Sequence, residues 1–92
     1  MRKISIDLSQ IKSYEQLQDI LQEKFEFPDF YGKNWNAFWD AITGLIEMPE
    51  KVEIIGWEYF SAAFPEDSIL LLKCLEEYNK QPDLKSFEIL IK

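Results

Sequence analysis

Apolar and polar positions alternate at the start of the chain. Ile4, Ile6 and Leu8 are separated by polar residues, the two-residue period of a strand, which places strand at Lys3–Asp7. The period then changes: Leu17, Ile20, Leu21 and Phe25 recur at helical spacing, with Ser13 as N-cap and Gln16 placed to close a capping box. Pro28 stops this helix, because the residue before proline is pushed out of helical conformation. FPDFYGKN, 27–34, is a loop punctuated by Pro28 and Gly32. Asn34 caps a second helix, Trp35 to Thr43, and Gly44 is expected in the left-handed conformation that ends it. Val52, Ile54 and Ile55 form a second strand that stops at Gly56. WEYFSAAF, 57–64, reads as a short helical turn. Pro65, Glu66 and Asp67 lead into a longer helix, about Ser68 to Lys80, since proline suits the first turn and acids suit the helix dipole. Phe87, Ile89 and Ile91 alternate in a third strand, with Leu90 on its other face. The order β-α-α-β-α-α-β predicts an α/β fold, a small parallel sheet covered by helices.

Ninety-two residues, of which 47% are hydrophobic and 15% aromatic, form one globular domain spanning 1–92. The absence of His removes imidazole as a general base and as a triad member. The lone Cys74 can neither close an internal disulfide nor supply a Cys/His zinc site; it is expected to pack in the last helix as an inert thiol. Gly32, Gly44 and Gly56 are too scattered to cradle phosphate. No cofactor and no metal are therefore expected. Seventeen acids against ten bases give a net charge of −7, a field that repels nucleic acid and anionic membrane and favours solubility or a basic partner. MRKISIDL is not a secretion signal, since Ser5 and Asp7 interrupt its apolar run. ILLLKCL is too short for a membrane span. The cytoplasm is the expected location.

YGKNWNAFWDAITG, 31–44, is the informative stretch. At ~100° per residue, Trp35, Phe38, Trp39 and Ile42 share one arc, with Trp35 at its centre and Trp39 at its border. Asn36, Asp40 and Thr43 share a narrower polar arc beside it. The apolar arc is a core face. The polar arc reads either as an ordinary solvated face or as a binding surface. Its short, directional side chains and the flanking Phe30, Tyr31 and Trp39 favour the second, since aromatic anchors around a few polar groups mark binding hot spots. Glu76–Glu77 and Glu15/Asp19 are better read as solvated charges than as an acid–base pair. Trp57, Tyr59 and Phe60 are better read as core than as a sugar platform.

Tyr31-Gly32-x-Asn34-x-x-Ala37-x-Trp39-Asp40, followed by Thr43-Gly44, resembles the barstar family of ribonuclease inhibitors, and the resemblance covers essentially the whole chain. It implies a three-stranded parallel sheet of order 1-2-3 packed with about four helices. It also implies a protein inhibitor, not an enzyme, that plugs the active-site cleft of a small, basic, secreted ribonuclease and is a monomer when free. By position, Asp40 is the carboxylate that enters where RNA phosphate sits. Thr43 and Gly44 are contacts one turn on, and Tyr31 and Trp39 are aromatic contacts. Glu77 on the last helix is a second acidic contact if Leu71, Leu72, Leu75 and Tyr78 set that helix's core register. Phe30, Asn34, Trp35, Asn36, Leu45 and Gln81 complete the expected contact set. Five of these depart from a well-known member: Asn36 and Gln81 stand for carboxylates, Trp35 for a smaller aliphatic residue, Phe30 for a tyrosine and Leu45 for a tryptophan. The departures favour, as the alternative, the same scaffold retargeted to a different nuclease toxin or to a non-nuclease protein.

Overall fold

The computed structural model describes residues 2–92. Three strands, β1 (Lys3–Asp7), β2 (Lys51–Ile55) and β3 (Glu88–Ile91), form one parallel sheet in the order β1-β2-β3. Helices α1 (Tyr14–Phe25) and α2 (Trp35–Asp40) connect the first two strands; α3 (Trp57–Ala63) and α4 (Pro65–Asn79) connect the last two. Parallel strands need such crossovers. Because strand order follows chain order, the right-handed rule sends both crossovers over the same face. The register shows the result. Ile4, Val52 and Ile89 lie in one row and Ile6, Ile54 and Ile91 in the next; Ile6, Val52 and Ile54 are fully buried with Leu17, Leu21, Phe38 and Leu71 of the helices.

Local signals placed most boundaries. The Ser13 hydroxyl accepts from the Gln16 amide at 3.1 Å. The Gln16 side chain, however, accepts from the Lys12 amide at 2.8 Å, one residue before the expected capping-box position. Pro65 occupies the first turn of α4, which therefore begins three residues before the expected Ser68. Phe87 lies outside β3: its backbone N–H and C=O are both taken by the Asn79 side chain, at 2.9 and 2.8 Å. Gly56 adopts φ 79° between β2 and α3, and a Cβ there would lie 2.6 Å from the Ser9 backbone nitrogen, so only glycine fits this close approach. Trp57 packs edge-on to the buried Phe60, and Tyr59 donates to the Ile11 carbonyl at 2.7 Å. These aromatics belong to the scaffold.

The opposite face of the sheet carries polar groups. Glu53, in the central strand, is 6% exposed. Its carboxylate accepts from Lys92 at 2.7 Å and from the Ser5 hydroxyl at 2.9 Å, with Lys3 at 3.9 Å. Lys92 first and Ser5 next hold the Glu53 carboxyl below the usual carboxylate range. A depressed folded pKa adds stability above the unfolded value, and this is lost as pH falls through the folded value. Glu53→Gln should therefore flatten the acid limb of the stability-against-pH curve. Urea midpoints measured between neutral and acid pH check this, and parallel curves would show that Glu53 contributes nothing to the acid limb.

Candidate functional site

The loop between α1 and α2 begins where Glu26 takes a left-handed conformation, φ 58°, and ends α1. The Tyr31 amide then closes a turn on the Pro28 carbonyl at 2.9 Å. This turn sends two adjacent aromatics in opposite directions. Tyr31 is only 6% exposed, with its ring 4.7 Å from that of Phe27 and its hydroxyl donating to Gln18. Burial foremost, then the neighbouring Tyr14 and Cys74, push its pKa up. Phe30 is 74% exposed. The expected aromatic contact at Tyr31 is thus corrected: Tyr31 is a core residue, and Phe30 is the ring the loop presents to solvent.

Asn34 likewise builds the surface more than it offers one. Its side-chain oxygen accepts from the Ala37 amide at 2.7 Å and its side-chain nitrogen donates to the Gly32 carbonyl at 3.3 Å. This is the cap expected from the sequence. Gly32 lies against Ala37, whose Cβ would be 3.2 Å from a Cβ at position 32.

On α2 the centre of the apolar face is Phe38, fully buried and in edge contact with Phe25, Phe27 and Trp35. Trp35 is half-buried, not central as expected. An indole N–H needs a partner when covered, and here it donates to Asp67 of α4 at 3.0 Å, which holds the ring at the α2–α4 seam. Trp39 is also half-buried, at the border of the apolar face as expected. Asn36 and Asp40 are exposed on the outer face.

The helix does not end at Thr43. It continues as a π turn, Ala41–Leu45, closed by the Ile46 amide on the Ala41 carbonyl at 3.2 Å. Gly44 lies within this turn, exposed and outside the left-handed conformation, contrary to expectation. At α-helical spacing Leu45 would fall three and four residues after the buried Ile42 and Ala41, on their face. The wider π turn gives that place to Ile46, which packs on the core, and turns Leu45 out, 47% exposed. Thr43 donates its hydroxyl back to the Trp39 carbonyl at 2.7 Å.

Helix α4 supplies the flank. Asp67, Leu70, Cys74, Glu77 and Gln81 follow three- and four-residue steps, so they form one stripe. The Trp35–Asp67 hydrogen bond sets that stripe beside α2. Leu71, Leu75 and Tyr78 are buried as expected, while Leu72 is half-buried. Glu77 is 45% exposed at its side chain and pairs with Lys80 at 3.4 Å. Gln81 donates to the Glu77 carbonyl at 3.1 Å and so caps the helix end. Leu70, 39% exposed, belongs to this flank although the sequence did not single it out; its place one step from Asp67 on the stripe is the signal. Cys74 is half-buried, and burial raises its thiol pKa.

Phe30, Asn36, Asp40, Gly44 and Leu45 therefore project from one continuous segment, with Leu70 and Glu77 alongside. Among the described residues the Asp40 carboxylate has no hydrogen-bond or ion-pair partner, and no three of His, Cys, Asp and Glu converge as a metal site. The arrangement is an exposed ridge of side chains along one segment, with one unpartnered acid among aromatic and aliphatic groups. Such a ridge can fill a cavity in another molecule.

Comparison with known proteins bears on the family of the chain. A family model described as "Barstar (barnase inhibitor)" matches residues 1–92. The chain is 36% identical over 95 residues to the Bacillus subtilis (strain 168) protein named "Putative ribonuclease inhibitor YrdF", covering 99% of each chain. With the parallel β1-β2-β3 sheet, its four helices and the family motif along α2 all in place, the chain belongs to the barstar family.

Proposed function

We propose that the chain is a stoichiometric protein inhibitor of a small, basic, secreted ribonuclease of the barnase type, acting in the cytoplasm to protect the producing cell. The loop 28–33 and the α2–π segment enter the active-site cleft and exclude RNA. The observation that carries this reading is the exposed, unpartnered Asp40 on a helix whose opposite face is locked into the core. A ribonuclease cleft holds phosphate with cationic side chains. A rigid carboxylate in the same place accepts charge-assisted hydrogen bonds from them. Phe30 and Leu45 supply apolar contact on either side, and Glu77 a second charge. The expected contacts at Asn36, Trp39, Thr43 and Gly44 lie on or beside this ridge, whereas Asn34 and Gln81 act mainly by shaping it.

One test is direct. RNA cleavage by barnase is titrated with the chain, and proteins captured on the immobilised chain from the producing strain's culture medium are assayed for RNA cleavage. Loss of cleavage at one equivalent is expected. An unaffected barnase together with a captured partner devoid of ribonuclease activity would sink the reading and favour a retargeted module. The outward Leu45 and the neutral Asn36 are the features that favour this second reading.

The charge makes a kinetic prediction. A chain of net −7 meeting a basic enzyme should associate faster than ~10⁶ M⁻¹s⁻¹, the upper range for unsteered docking. The rate should fall as salt shortens the Debye length from about 8 Å at physiological strength. Dissociation should respond less, because desolvated pairs are poorly screened. Stopped-flow association at several salt concentrations checks this; a salt-independent rate would assign the acidic excess to solubility alone.

A further inference from the structure

Helix α1 does not contribute to the ridge, yet three of its polar side chains reach the loop that carries Phe30. Gln22 donates from Nε2 to the Pro28 carbonyl at 3.1 Å. Gln18 accepts from the Tyr31 hydroxyl. Asp19 accepts from the Lys33 ammonium at 2.8 Å. Gln18 and Gln22 stand one turn apart on α1 and Asp19 adjoins them, so a single patch of the helix makes all three contacts. The contacts fall at 28, 31 and 33 and bracket Phe30. We propose that Gln18, Asp19 and Gln22 are positioning residues for inhibition: together they clamp the loop and present Phe30 as a pre-ordered anchor for an apolar recess beside the cationic cleft of the ribonuclease.

Three observations support a clamp over incidental contact. Phe30 is 74% exposed, so its own ring does little to hold the loop in place. Gln18 is fully buried and its Nε2 has no hydrogen-bond partner. An apolar side chain would avoid that cost, and the bond to Tyr31 is what the glutamine provides. Lys33 has φ 54°, a left-handed conformation uncommon for a side chain of this kind, and Asp19 holds its ammonium. A loop ordered before encounter does not lose that freedom on binding, which is how pre-organisation raises affinity. Asp19, a surface acid by sequence, acquires this role only through the chain's return at Lys33.

The proposal rests on the inhibitor reading, and one set of variants tests it with barnase as the probe. Gln22→Met removes the donor at similar length; Asp19→Asn removes the charge. In the free chain, amide exchange at 29–33 should accelerate about tenfold in each variant, with helix amides unchanged. Binding to barnase should weaken about 3- to 10-fold. In a Phe30→Ala background the same substitutions should change binding less than about 2-fold, because the clamp then has nothing to present. Exchanging the charges, Asp19→Lys with Lys33→Asp, should restore slow exchange and most of the affinity. Unchanged exchange in the loop, or equal binding losses with and without Phe30, overturns the proposal while leaving the inhibitor reading intact. Failure of the wild-type chain to bind barnase, together with a captured partner devoid of ribonuclease activity, overturns both; a captured ribonuclease takes the place of barnase as the probe.

Discussion

Asp40→Ala is expected to leave the protein folded with a stability within about 0.5 kcal/mol of the parent, the usual range for an exposed position away from special contacts, and to cost at least ~2 kcal/mol in binding to a ribonuclease, the threshold of a hot spot. The separation follows from the position of the side chain. Asp40 lies on the outer face of α2, while Phe38 and Ala41, on either side in sequence, are fully buried. Its carboxylate makes no contact that the fold would lose. In a cleft built for phosphate the same group would meet desolvated cations, and removing it would leave them unpaired. That penalty adds to the lost attraction. Urea denaturation and inhibition of RNA cleavage, measured on the same preparation, give the two numbers. Equal losses in both would make Asp40 a structural residue and remove the central support of the proposed function.

Glu77 should behave differently. Lys80 already lies 3.4 Å from its carboxylate, so a partner's cation must compete with an intramolecular one. Glu77→Gln should therefore cost less in binding than Asp40→Ala, and its loss should appear first in the association rate, where the field of the whole chain acts. The contrast comes from environment alone, since both residues are exposed carboxylates on helices. A larger loss at Glu77 than at Asp40 would invert the assignment of the central acid.

Where sequence reasoning succeeded and where it stopped follows from the range of the interactions involved. Alternation at Ile4 and Ile6 and the Ser13 and Asn34 caps are short-range signals, and each lies where the sequence indicated, while the Pro65 signal is right in kind with the helix starting at the proline itself. Asp40 was legible for the same reason: helical spacing alone sets it away from Phe38. The order of the strands was not contained in the periodicity and came from the family resemblance. Tyr31 and Phe30 are adjacent aromatics in a loop, and it is Tyr31 that meets Phe27 and, thirteen residues earlier in the chain, Gln18. The helix end at Gly44 is misjudged because a π turn carries the helix on through Leu45, and the glycine suggests an ordinary left-handed terminus instead. A helical wheel centres Trp35 on the apolar face because it has no information about α4. With α4 alongside, the side of α2 bearing Trp35 becomes a seam.

That seam yields the last prediction, in which the neighbouring aromatics of α2 separate. Phe38→Ala should cost about 3–5 kcal/mol, the range for a fully buried aromatic truncated in a core that cannot close the space. Phe38 touches Phe25 at 5.7 Å and Phe27 at 5.8 Å, both edge-on, so its removal opens a cavity where α1, the loop and α2 meet. Against a total stability of about 5–15 kcal/mol for a small domain, this leaves a marginal fold. Trp35→Ala removes a half-buried ring and one hydrogen bond, and should cost about 1–3 kcal/mol despite the larger side chain. Trp35→Phe retains the edge contact with Phe38 at 5.5 Å and loses the bond to Asp67, which should cost about 1 kcal/mol. Urea denaturation of the three variants orders these effects. Acrylamide quenching of a Trp39→Phe, Trp57→Phe variant, in which Trp35 is the sole remaining indole, should be intermediate between that of a core and a free tryptophan. A Trp35→Ala loss equal to that of Phe38→Ala, with an indole fully shielded from quencher, would return Trp35 to the centre of the core.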